Sequence, residues 1–233
     1  MKLALFGHGA MGQLVETQAR VAGDEIGVTI TSHDLGLSVD ELATSLSGHD
    51  VALDFSVAAA ALPHIEACAL ANVPLVEGTT GWKEQEAKAR EIVEEHNGAL
   101  VFGANFSVGV NLFYRIASHA AKLMADVDQY QAFIEEEHHA RKRDAPSGTA
   151  LKLKDLMAQY LKTEIPVAST RAGYIPGTHR VGFDSAADQI MLTHMARSRE
   201  GFAAGALLAA RWIVGRKGVY EFSDVVDEII KTE

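Results

Sequence analysis

The sequence predicts an α/β fold, with an N-terminal Rossmann-like parallel-sheet domain and a C-terminal α+β domain built on a mixed sheet. In the first half of the chain, short apolar runs alternate with stretches of helical period, which is the pattern of βαβ units. A glycine-rich loop joins the first such run to the first helix. After about Ser107 the strand-like runs lose that regular alternation, and this change favours a second domain with a mixed or antiparallel sheet.

Short apolar runs in the first half are the predicted strands, and stretches of helical period separate them. Because the runs are rich in β-branched residues and lack polar alternation, they suit strands that are buried on both faces. The strands are Leu3–Phe6, Ile26–Thr31, Val51–Phe55, Pro74–Val76 and Leu100–Phe102. The helices are Met11–Ala22, Ala58–Ala71 and Lys83–Glu95.

The second half mixes predicted strands and helices without a regular order. Its strands are Tyr130–Glu137, Pro166–Arg171, Arg180–Asp184 and Gln189–Ala196. Its helices are Val110–Met124, Thr149–Leu161, Gly201–Val214 and Ser223–Lys231. Because several of these strands follow one another without a helix between them, we expect a sheet that has its helices on one face.

Composition and charge exclude several classes of protein. The formal net charge is −10, whereas a general nucleic-acid binder needs a basic face. The single cysteine, Cys68, excludes an internal disulfide and fits a reducing compartment. The longest apolar stretch, Gly201–Gly215, contains Arg211 and is shorter than the ~20 residues that a spanning helix needs. We expect a soluble, cytoplasmic protein that binds neither nucleic acid nor membranes.

A GxGxxG motif follows the first predicted strand and opens the first predicted helix, as Gly7-His8-Gly9-Ala10-Met11-Gly12. Gly7 permits a tight turn, Gly9 lets the backbone approach a pyrophosphate, and Gly12 allows the helix to pack closely on the strand. The helix N-terminus adds free N–H donors and a partial positive charge for the anion. The motif predicts a dinucleotide site, the alternative being a glycine turn with a structural role only.

Polar segments follow three other predicted strands, where a doubly wound sheet binds its ligands. Ser32, His33 and Asp34 follow the second strand. Asp34 is the candidate for the ribose hydroxyls of NADH, although an ordinary loop residue fits the spacing equally well. No arginine stands nearby to bind the 2′-phosphate of NADPH, which His33 could contact weakly. The other two segments, which suit a nicotinamide ribose and carboxamide, contain Gly78-Thr79-Thr80 and Gly103-Ala104-Asn105-Phe106.

The segment from Glu137 to Ala150 carries the densest chemistry of the chain. His138 and His139 can donate protons near neutral pH. The basic run Arg141–Arg143 on a protein of net charge −10 suits a small anionic substrate. Pro146-Ser147-Gly148-Thr149 is a second helix start that can bind an anion. Because neighbours on a strand point to opposite faces, and no third ligand has metal spacing, no metal is expected.

Four segments together resemble the 4-hydroxy-tetrahydrodipicolinate reductase family, the dihydrodipicolinate reductases of bacterial lysine biosynthesis. They occur in order along the chain, and the last of them is highly specific. They are Gly7–Gly12, Glu77–Gly81, Ala104–Asn111, and Glu137-His138-His139 with Lys142 and Asp144–Ala150. The resemblance implies hydride transfer from NADH or NADPH to a cyclic, imine-type dicarboxylate with loss of water, giving tetrahydrodipicolinate.

The resemblance also implies a role for individual residues. His138 would be the general acid, Lys142 a second proton donor and charge partner, and His139 a substrate contact. Ser147, Gly148 and Thr149 would bind a carboxylate of the substrate. Cofactor contacts would fall on Gly7–Gly12, Gly78–Thr80 and Gly103–Phe106, to which the position after the second strand adds Ser32–Asp34.

The same family implies a domain division and an assembly. Residues 1–106 and 215–233 would form the dinucleotide-binding domain, because the family's last helix returns to it. Residues 107–214 would form the substrate-binding and oligomerisation domain, and the family's members are commonly homotetramers. Ser32-His33-Asp34 stands where the family often has an acidic residue followed by a basic one, so the preference between NADH and NADPH stays open.

Two alternatives compete with this reductase. An aspartate or diaminopimelate dehydrogenase has a similar layout, but it is not expected to carry two histidines and a lysine before a Pro-Ser-Gly-Thr helix start. A catalytically silent dinucleotide sensor would keep the glycine loop and lose its proton donors, whereas His138 and Lys142 are both present.

Overall fold

The computed structural model describes residues 1–34 and 36–231, which fold into two compact units. The first unit comprises Met1–Ser107 and the chain from Glu200 onward, and the second comprises Val108–Arg199. The expected domain boundary at residue 214 differs from this division, because residues 200–213 form a helix whose buried alanines pack against strands of the first unit. Residues 232 and 233, which the sequence analysis places in the dinucleotide-binding domain, lie outside the described residues.

The first unit is a parallel sheet with helices between its strands. Its strands are β1 (Lys2–Phe6), β2 (Glu25–Ile30), β3 (Val51–Asp54), β4 (Leu75–Glu77), β5 (Ala99–Phe102) and β10 (Gly218–Glu221). Its helices are α1 (Ala10–Val21), α2 (Val39–Ser45), α3 (Ala58–Leu70), α4 (Glu86–Glu95), α7 (Glu200–Ile213) and α8 (Phe222–Lys231). The strands pair in the order β10-β5-β4-β3-β1-β2, and every pairing is parallel. The Rossmann-like sheet predicted for the N-terminal domain is therefore confirmed.

Burial in this sheet follows the prediction made from its apolar runs. Every residue of β3 is buried, as are Leu3–Phe6 of β1. Both central strands lack polar alternation because helices cover both faces of a parallel sheet. The carboxyl ends of β1, β3 and β4 are neighbours in the register, so the loops that follow these strands meet at one edge.

Two elements of the first unit are missing from the sequence analysis. Helix α2 begins at a capping box, in which the Glu41 backbone N–H donates to Oγ of Ser38 at 3.3 Å and the Ser38 N–H donates to Oε2 of Glu41 at 2.7 Å. Strand β10 is four residues long and pairs with β5. So short a run has no periodicity of its own, and its place in the sheet comes from long-range pairing.

The second unit is a four-stranded sheet with two helices. Its elements are α5 (Val108–Met124), β6 (Gln131–His138), α6 (Gly148–Ala158), β7 (Val167–Arg171), β8 (Thr178–Asp184) and β9 (Gln189–Met195). The strand order is β7-β6-β8-β9, in which β6 and β7 are parallel and the other pairs are antiparallel. The predicted mixed sheet is confirmed.

Alternate residues of β6 make a single buried row. Ala132 and Ile134 pack with residues of α5 and α6 in the core of this unit. Glu136 and His138 continue the same row and are also buried, since residues two apart on a strand share a face. The apolar core of the second unit thus leads directly into a polar cluster.

Across the described residues, no helix is both long and apolar enough to cross a membrane.

Candidate active site

The glycine loop of the first unit forms a cradle at the N-terminus of α1. Gly7 has φ of +84°, and a side chain there would lie within 2.6 Å of the Phe55 carbonyl oxygen. A side chain at Gly12 would collide with the Gly7 carbonyl. Gly9 is the N-cap of α1 without a side-chain cap, and a side chain at Gly9 would meet open space. The loop therefore leaves room and free N–H donors where a pyrophosphate would be held.

The remaining residues of this loop line or flank the cradle. The His8 ring nitrogen Nε2 lies 2.6 Å from the Glu16 carboxylate, and the His8 carbonyl accepts a hydrogen bond from Gln13. Ala10 begins α1. Met11 lines a cleft of about 330 Å³, whose other walls are the loops after β3 and β4: Phe55, Ser56, Val57, Ala58, Gly78, Thr79 and Thr80.

The segment after β5 packs inside the first unit. Gly103 donates its backbone N–H to the Glu77 carbonyl at 3.2 Å. Asn105 accepts the Ser107 backbone N–H at 2.9 Å, and Phe106 is buried against the Phe222 ring. Ala104 is exposed in the same loop. Three of the predicted nucleotide segments thus follow the parallel strands β1, β4 and β5.

The fourth segment, Ser32–Asp34, forms an exposed turn after β2. The Thr31 backbone N–H donates to the Asp34 carboxylate at 2.7 Å, and the Thr31 hydroxyl lies 3.2 Å from the same oxygen. Asp34 therefore stabilises its own turn through one oxygen, Oδ2. Its role toward a ribose stays a prediction.

In the second unit, His138 is paired with a buried carboxylate. Nδ1 of His138 donates a short hydrogen bond to Oε2 of Glu136. Arg171 holds the same carboxylate with two nitrogens, at 2.9 Å to Oε2 and 2.6 Å to Oε1. Although burial raises the pKa of Glu136, the hydrogen bonds from Arg171, Ser169 and His138 lower it to about 2. Glu136 is therefore an anion that fixes the His138 ring through Nδ1. Nε2 is then the ring nitrogen that is left for contact with a ligand.

Two residues complete the surroundings of this histidine. Burial lowers the pKa of His179 to about 4, with the charge of His138 adding to the effect. The His179 ring meets the His138 ring edge-on, with centroids 5.1 Å apart. A Cβ on Gly177, whose φ is +152°, would lie 3.0 Å from Nε2 of His138. Only a residue without a side chain keeps that nitrogen clear.

Ser147 joins this cluster to the start of α6. It is 2% exposed and caps the helix, because its hydroxyl accepts the Ala150 backbone N–H at 3.2 Å. Its Oγ also lies 3.0 Å from Nε2 of His179, and its N–H donates to Glu136 at 3.2 Å. The predicted substrate-binding residue Ser147 is thus placed beneath the helix start, while Gly148 and Thr149 lie nearer the surface.

The other predicted substrate residues surround this helix start. Lys142 is 25% exposed at its side chain and forms an ion pair with Asp144 at 2.8 Å. The Lys142 backbone N–H closes a turn onto the His139 carbonyl. Nδ1 of His139 is buried without a hydrogen-bond partner among the described residues, so a polar ligand would satisfy it.

Comparison with known proteins identifies the chain's relatives. Residues 1–106 match the family model for "Dihydrodipicolinate reductase, N-terminus" and residues 109–226 match that for "Dihydrodipicolinate reductase, C-terminus". The chain belongs to the dihydrodipicolinate reductase family. It is 38% identical to a 4-hydroxy-tetrahydrodipicolinate reductase of Christiangramia forsetii, over 99% of this chain and all of the relative. A Methanosarcina mazei protein of the same name is also 38% identical, over 74% of this chain and 71% of its own.

Solved structures agree on the fold of the reductase. A dipicolinate-bound dihydrodipicolinate reductase from Paenisporosarcina sp. TG-14 superposes with a TM-score of 0.80. It is 22% identical to this chain, with coverage of 96% of this chain and 98% of the other. A probable dehydrogenase from Thermotoga maritima superposes with a TM-score of 0.56 at 10% identity, over 99% of this chain and 94% of its own.

The cluster around His138 contains three side chains of the types that bind metal ions. Glu136, His138 and His179 offer ligand atoms that lie within 4.8 Å of one another. However, the Arg171 guanidinium already neutralises both carboxylate oxygens of Glu136, which disfavours a second cation there. The expectation of no metal stays a prediction.

Sequence reasoning missed the partners that hold His138 in this reductase. Glu136 lies two residues before His138 on the same strand face, so the period of two in β6 could have indicated it. Arg171 pairs opposite His138 in the β6–β7 register, and His179 pairs opposite Glu136 in the β6–β8 register. These two contacts depend on strand pairing between distant segments, which no local pattern predicts.

Proposed function

We propose that His138 and Lys142 supply the proton in the reaction of this NAD(P)H-dependent oxidoreductase. The reaction is the reduction of 4-hydroxy-tetrahydrodipicolinate to tetrahydrodipicolinate in lysine and diaminopimelate biosynthesis. The observation that carries the assignment is the buried Glu136 carboxylate on Nδ1 of His138. This contact fixes the tautomer and the orientation of the ring, so that Nε2 is the atom that exchanges a proton.

In this proposal the nucleotide binds to the first unit. The N-terminus of α1 and the glycine loop Gly7–Gly12 would hold the pyrophosphate, and Gly78–Thr80 with Gly103–Phe106 would hold the nicotinamide half. Ser32–Asp34 would contact the adenosine ribose. When bound, NADH or NADPH supplies the hydride. The open space at Gly9 and the crowded positions at Gly7 and Gly12 support this fit.

The protonation of His138 is coupled to the substrate. Burial lowers the pKa of His138, as do the charges of Lys142 and Arg171, while the Glu136 carboxylate opposes them. A bound dicarboxylate adds negative charge, which raises the pKa of a neighbouring histidine. His138 therefore takes up its proton together with the substrate. The hydroxyl group of the substrate leaves as water, and His138 donates its proton to the carbon–nitrogen system, which becomes electron-rich on hydride addition.

A dicarboxylate fits the start of α6 and its surroundings. Gly148 and Thr149 lie in the first turn of α6, where backbone N–H groups bind anions, and the Gly148 N–H already bonds to the Asp144 carboxylate. Lys142 adds a positive charge, and Nδ1 of His139, which no described residue hydrogen-bonds, adds a polar contact. Ser147 would support this site indirectly, because it caps the helix and hydrogen-bonds to both Glu136 and His179.

A coupled assay tests the reaction directly. A synthase generates the substrate from pyruvate and aspartate semialdehyde, and nicotinamide absorbance is followed with NADH and NADPH in parallel. Oxidation that requires both precursors is the expected result, and the ratio of the two rates measures the cofactor preference. Intact nucleotide binding without oxidation would instead favour a different dehydrogenase or a sensor.

A homotetramer in the cytoplasm is the remaining part of the proposal. Strand β9 lies at one edge of its sheet and exposes Ile190, Met191 and Met195, and exposed apolar side chains on an edge strand support pairing between copies. The buried, unpaired Cys68 is compatible with a reducing compartment. Sedimentation of the wild type should give the mass of four chains, and Met195→Asp should lower it. A monomeric wild type would contradict this assembly.

A further inference from the structure

Two buried carboxyl groups lie beneath the nucleotide cleft of the first unit. Asp54 is the last residue of β3 and Glu77 is the last residue of β4, and the two are direct neighbours in the parallel register. Both are 0% exposed. Placing two carboxylates side by side in the interior is unfavourable unless other groups stabilise them. The proposed proton donation by His138 uses neither of them.

Asp54 connects three separate segments. Nδ1 of His64 lies 2.6 Å from Oδ2, and the His64 ring stacks on Phe6 with centroids 4.0 Å apart. The other oxygen, Oδ1, accepts the Ser56 backbone N–H at 2.7 Å and the Thr79 hydroxyl at 3.2 Å. Since Ser56 and Thr79 line opposite loops of the cleft, this carboxylate joins the two loops.

Glu77 uses only one of its oxygens in the same way. Oε1 accepts the Thr79 backbone N–H at 2.7 Å. No described residue directs a donor at the buried Oε2. Burial raises the pKa of Glu77 well above its ordinary value, and the nearby Asp54 raises it further. A proton on Oε2 accounts for both facts, because it neutralises Glu77 and lets this oxygen donate to the neighbouring Asp54 carboxylate, with which Glu77 is hydrogen-bonded.

We propose that Glu77 is protonated, shares its proton with Asp54, and acts with Asp54 as a positioning pair for the nucleotide-binding loops. Glu77 fixes the Thr79 backbone, while Asp54 fixes the Thr79 hydroxyl and the Ser56 backbone. The Trp82 indole N–H donates to the Thr79 carbonyl at 2.9 Å and holds the loop from its other side. The Gly78–Thr80 loop is thus held in place before the nucleotide binds, which lowers the cost of binding.

This inference rests on the proposed nucleotide site, and a pair of nearly isosteric substitutions tests it. Glu77→Gln keeps an acceptor for Thr79 and places an amide donor where the proton lies. Glu77→Leu keeps most of the volume and removes both functions. We expect the dissociation constant of NADH or NADPH to change by no more than about twofold in Glu77→Gln and to rise about tenfold in Glu77→Leu.

Kinetics separate a positioning role from general damage. In Glu77→Leu the KM for the nucleotide should rise about tenfold, while kcat at saturating nucleotide changes less than about threefold. Asp24→Asn is the matched control. Asp24 is a mostly buried carboxylate of the same unit that lies just before β2 and pairs with the N-terminal amine and Arg211, away from the cleft. It should lower thermal stability without changing the nucleotide KM.

Each failure has a distinct signature. An unchanged dissociation constant in Glu77→Leu would overturn the positioning role, and equal weakening in Glu77→Gln and Glu77→Leu would overturn the shared proton.

Infrared difference spectra test the proton without any nucleotide. The C=O band of a buried carboxylic acid should be present in the wild type at neutral pH and lost in Glu77→Gln, and its absence from the wild type would contradict the proposal. A wild type that binds neither nucleotide would overturn the nucleotide site instead, while the infrared result stands.

Discussion

Glu136 and Glu77 are two buried glutamates of this chain with opposite protonation. Both are almost inaccessible to solvent, at 1% and 0% exposed, and each lies at or near the end of a strand. Burial alone raises the pKa of both. The Arg171 guanidinium and its neighbours bring the pKa of Glu136 down to about 2, whereas the neighbour of Glu77 is another carboxyl group, Asp54.

This difference shows that the neighbouring charge, not burial, assigns the role of each carboxyl group. The anionic Glu136 orients His138, which the proposed mechanism requires to change its protonation during the reaction. The neutral Glu77 supports a loop that stays in one arrangement. In this proposal the second unit therefore carries the titrating chemistry, and the first unit carries a fixed binding surface.

The largest expected effect comes from removing the charge of Glu136. Glu136→Gln leaves the Arg171 guanidinium without its counter-ion, so the free energy of unfolding should fall by about 3 kcal/mol. Glu77→Gln should not lower it near pH 7, because a neutral amide replaces a neutral acid in the folded state and removes the cost of protonating Glu77 on folding. Urea unfolding of both variants near pH 7 measures the contrast. Equal losses would remove the distinction between the two glutamates.

The contributions of Glu136 and Glu77 to stability should depend on pH with opposite signs. Because the folded-state pKa of Glu136 is depressed, its stabilisation is present above its ordinary pKa of 4.5 and is lost as pH falls toward about 2. Because the folded-state pKa of Glu77 is raised, wild-type stability falls as pH rises above 4.5 toward that value. The stability of Glu77→Gln relative to wild type should therefore increase with pH, and that of Glu136→Gln should decrease.

The second effect is on turnover. His138→Ala and Lys142→Ala should each lower kcat by roughly 10²-fold or more, because each removes a proposed proton donor. The dissociation constant of the nucleotide should stay nearly unchanged, since its proposed site lies in the first unit. Steady-state kinetics and nucleotide titration of the same preparations check both expectations. Near wild-type turnover in both variants would contradict the proton-donor assignment.

The third effect is a displacement of the pH profile by about one unit. If His138 must be protonated, kcat/KM falls as pH rises through its depressed pKa, and kcat falls at higher pH because the bound dicarboxylate raises that pKa. Lys142→Ala removes a charge that lowers the pKa of His138, so its kcat/KM limb should move to higher pH. A limb that moves to lower pH, or does not move, would contradict the coupling.

The smallest effect concerns the exposed turn after β2. Asp34→Ala should weaken NADH several-fold and leave NADPH nearly unchanged, because a ribose hydroxyl loses its acceptor. The dissociation constants of both nucleotides measure this selectivity. Equal constants in wild type and variant would assign Asp34 only to its hydrogen bonds with Thr31.

Most of the fold could be predicted from the sequence because local patterns indicate its strands and helices. Runs without polar alternation indicated the buried parallel strands, and the GxGxxG motif indicated the first helix and its cradle. The short strand β10 and the placement of α7 in the first unit were not accessible, because both depend on contacts between segments far apart in the chain.

The candidate site was accessible only in part for the same reason. His138, Lys142 and the helix start of α6 share one continuous segment and one motif. Arg171, His179 and Asp54 have ordinary local surroundings, and their significance comes from strand register and burial. The protonation state is the property that the sequence predicts least well. Glu77 and Glu136 are the same residue type, and only their neighbours in the folded structure distinguish them.

The first unit draws on two separated stretches of chain, and this has a consequence for synthesis. Strand β10 pairs with β5, and α7 packs near the middle of the same sheet, yet both are translated after the whole continuous second unit. While the ribosome is still completing that second unit, the sheet that carries the glycine loop lacks its sixth strand and exposes the apolar surface that α7 will cover. A nascent chain paused near Arg199 therefore exposes apolar surface that a chaperone can protect until α7 and β10 are made.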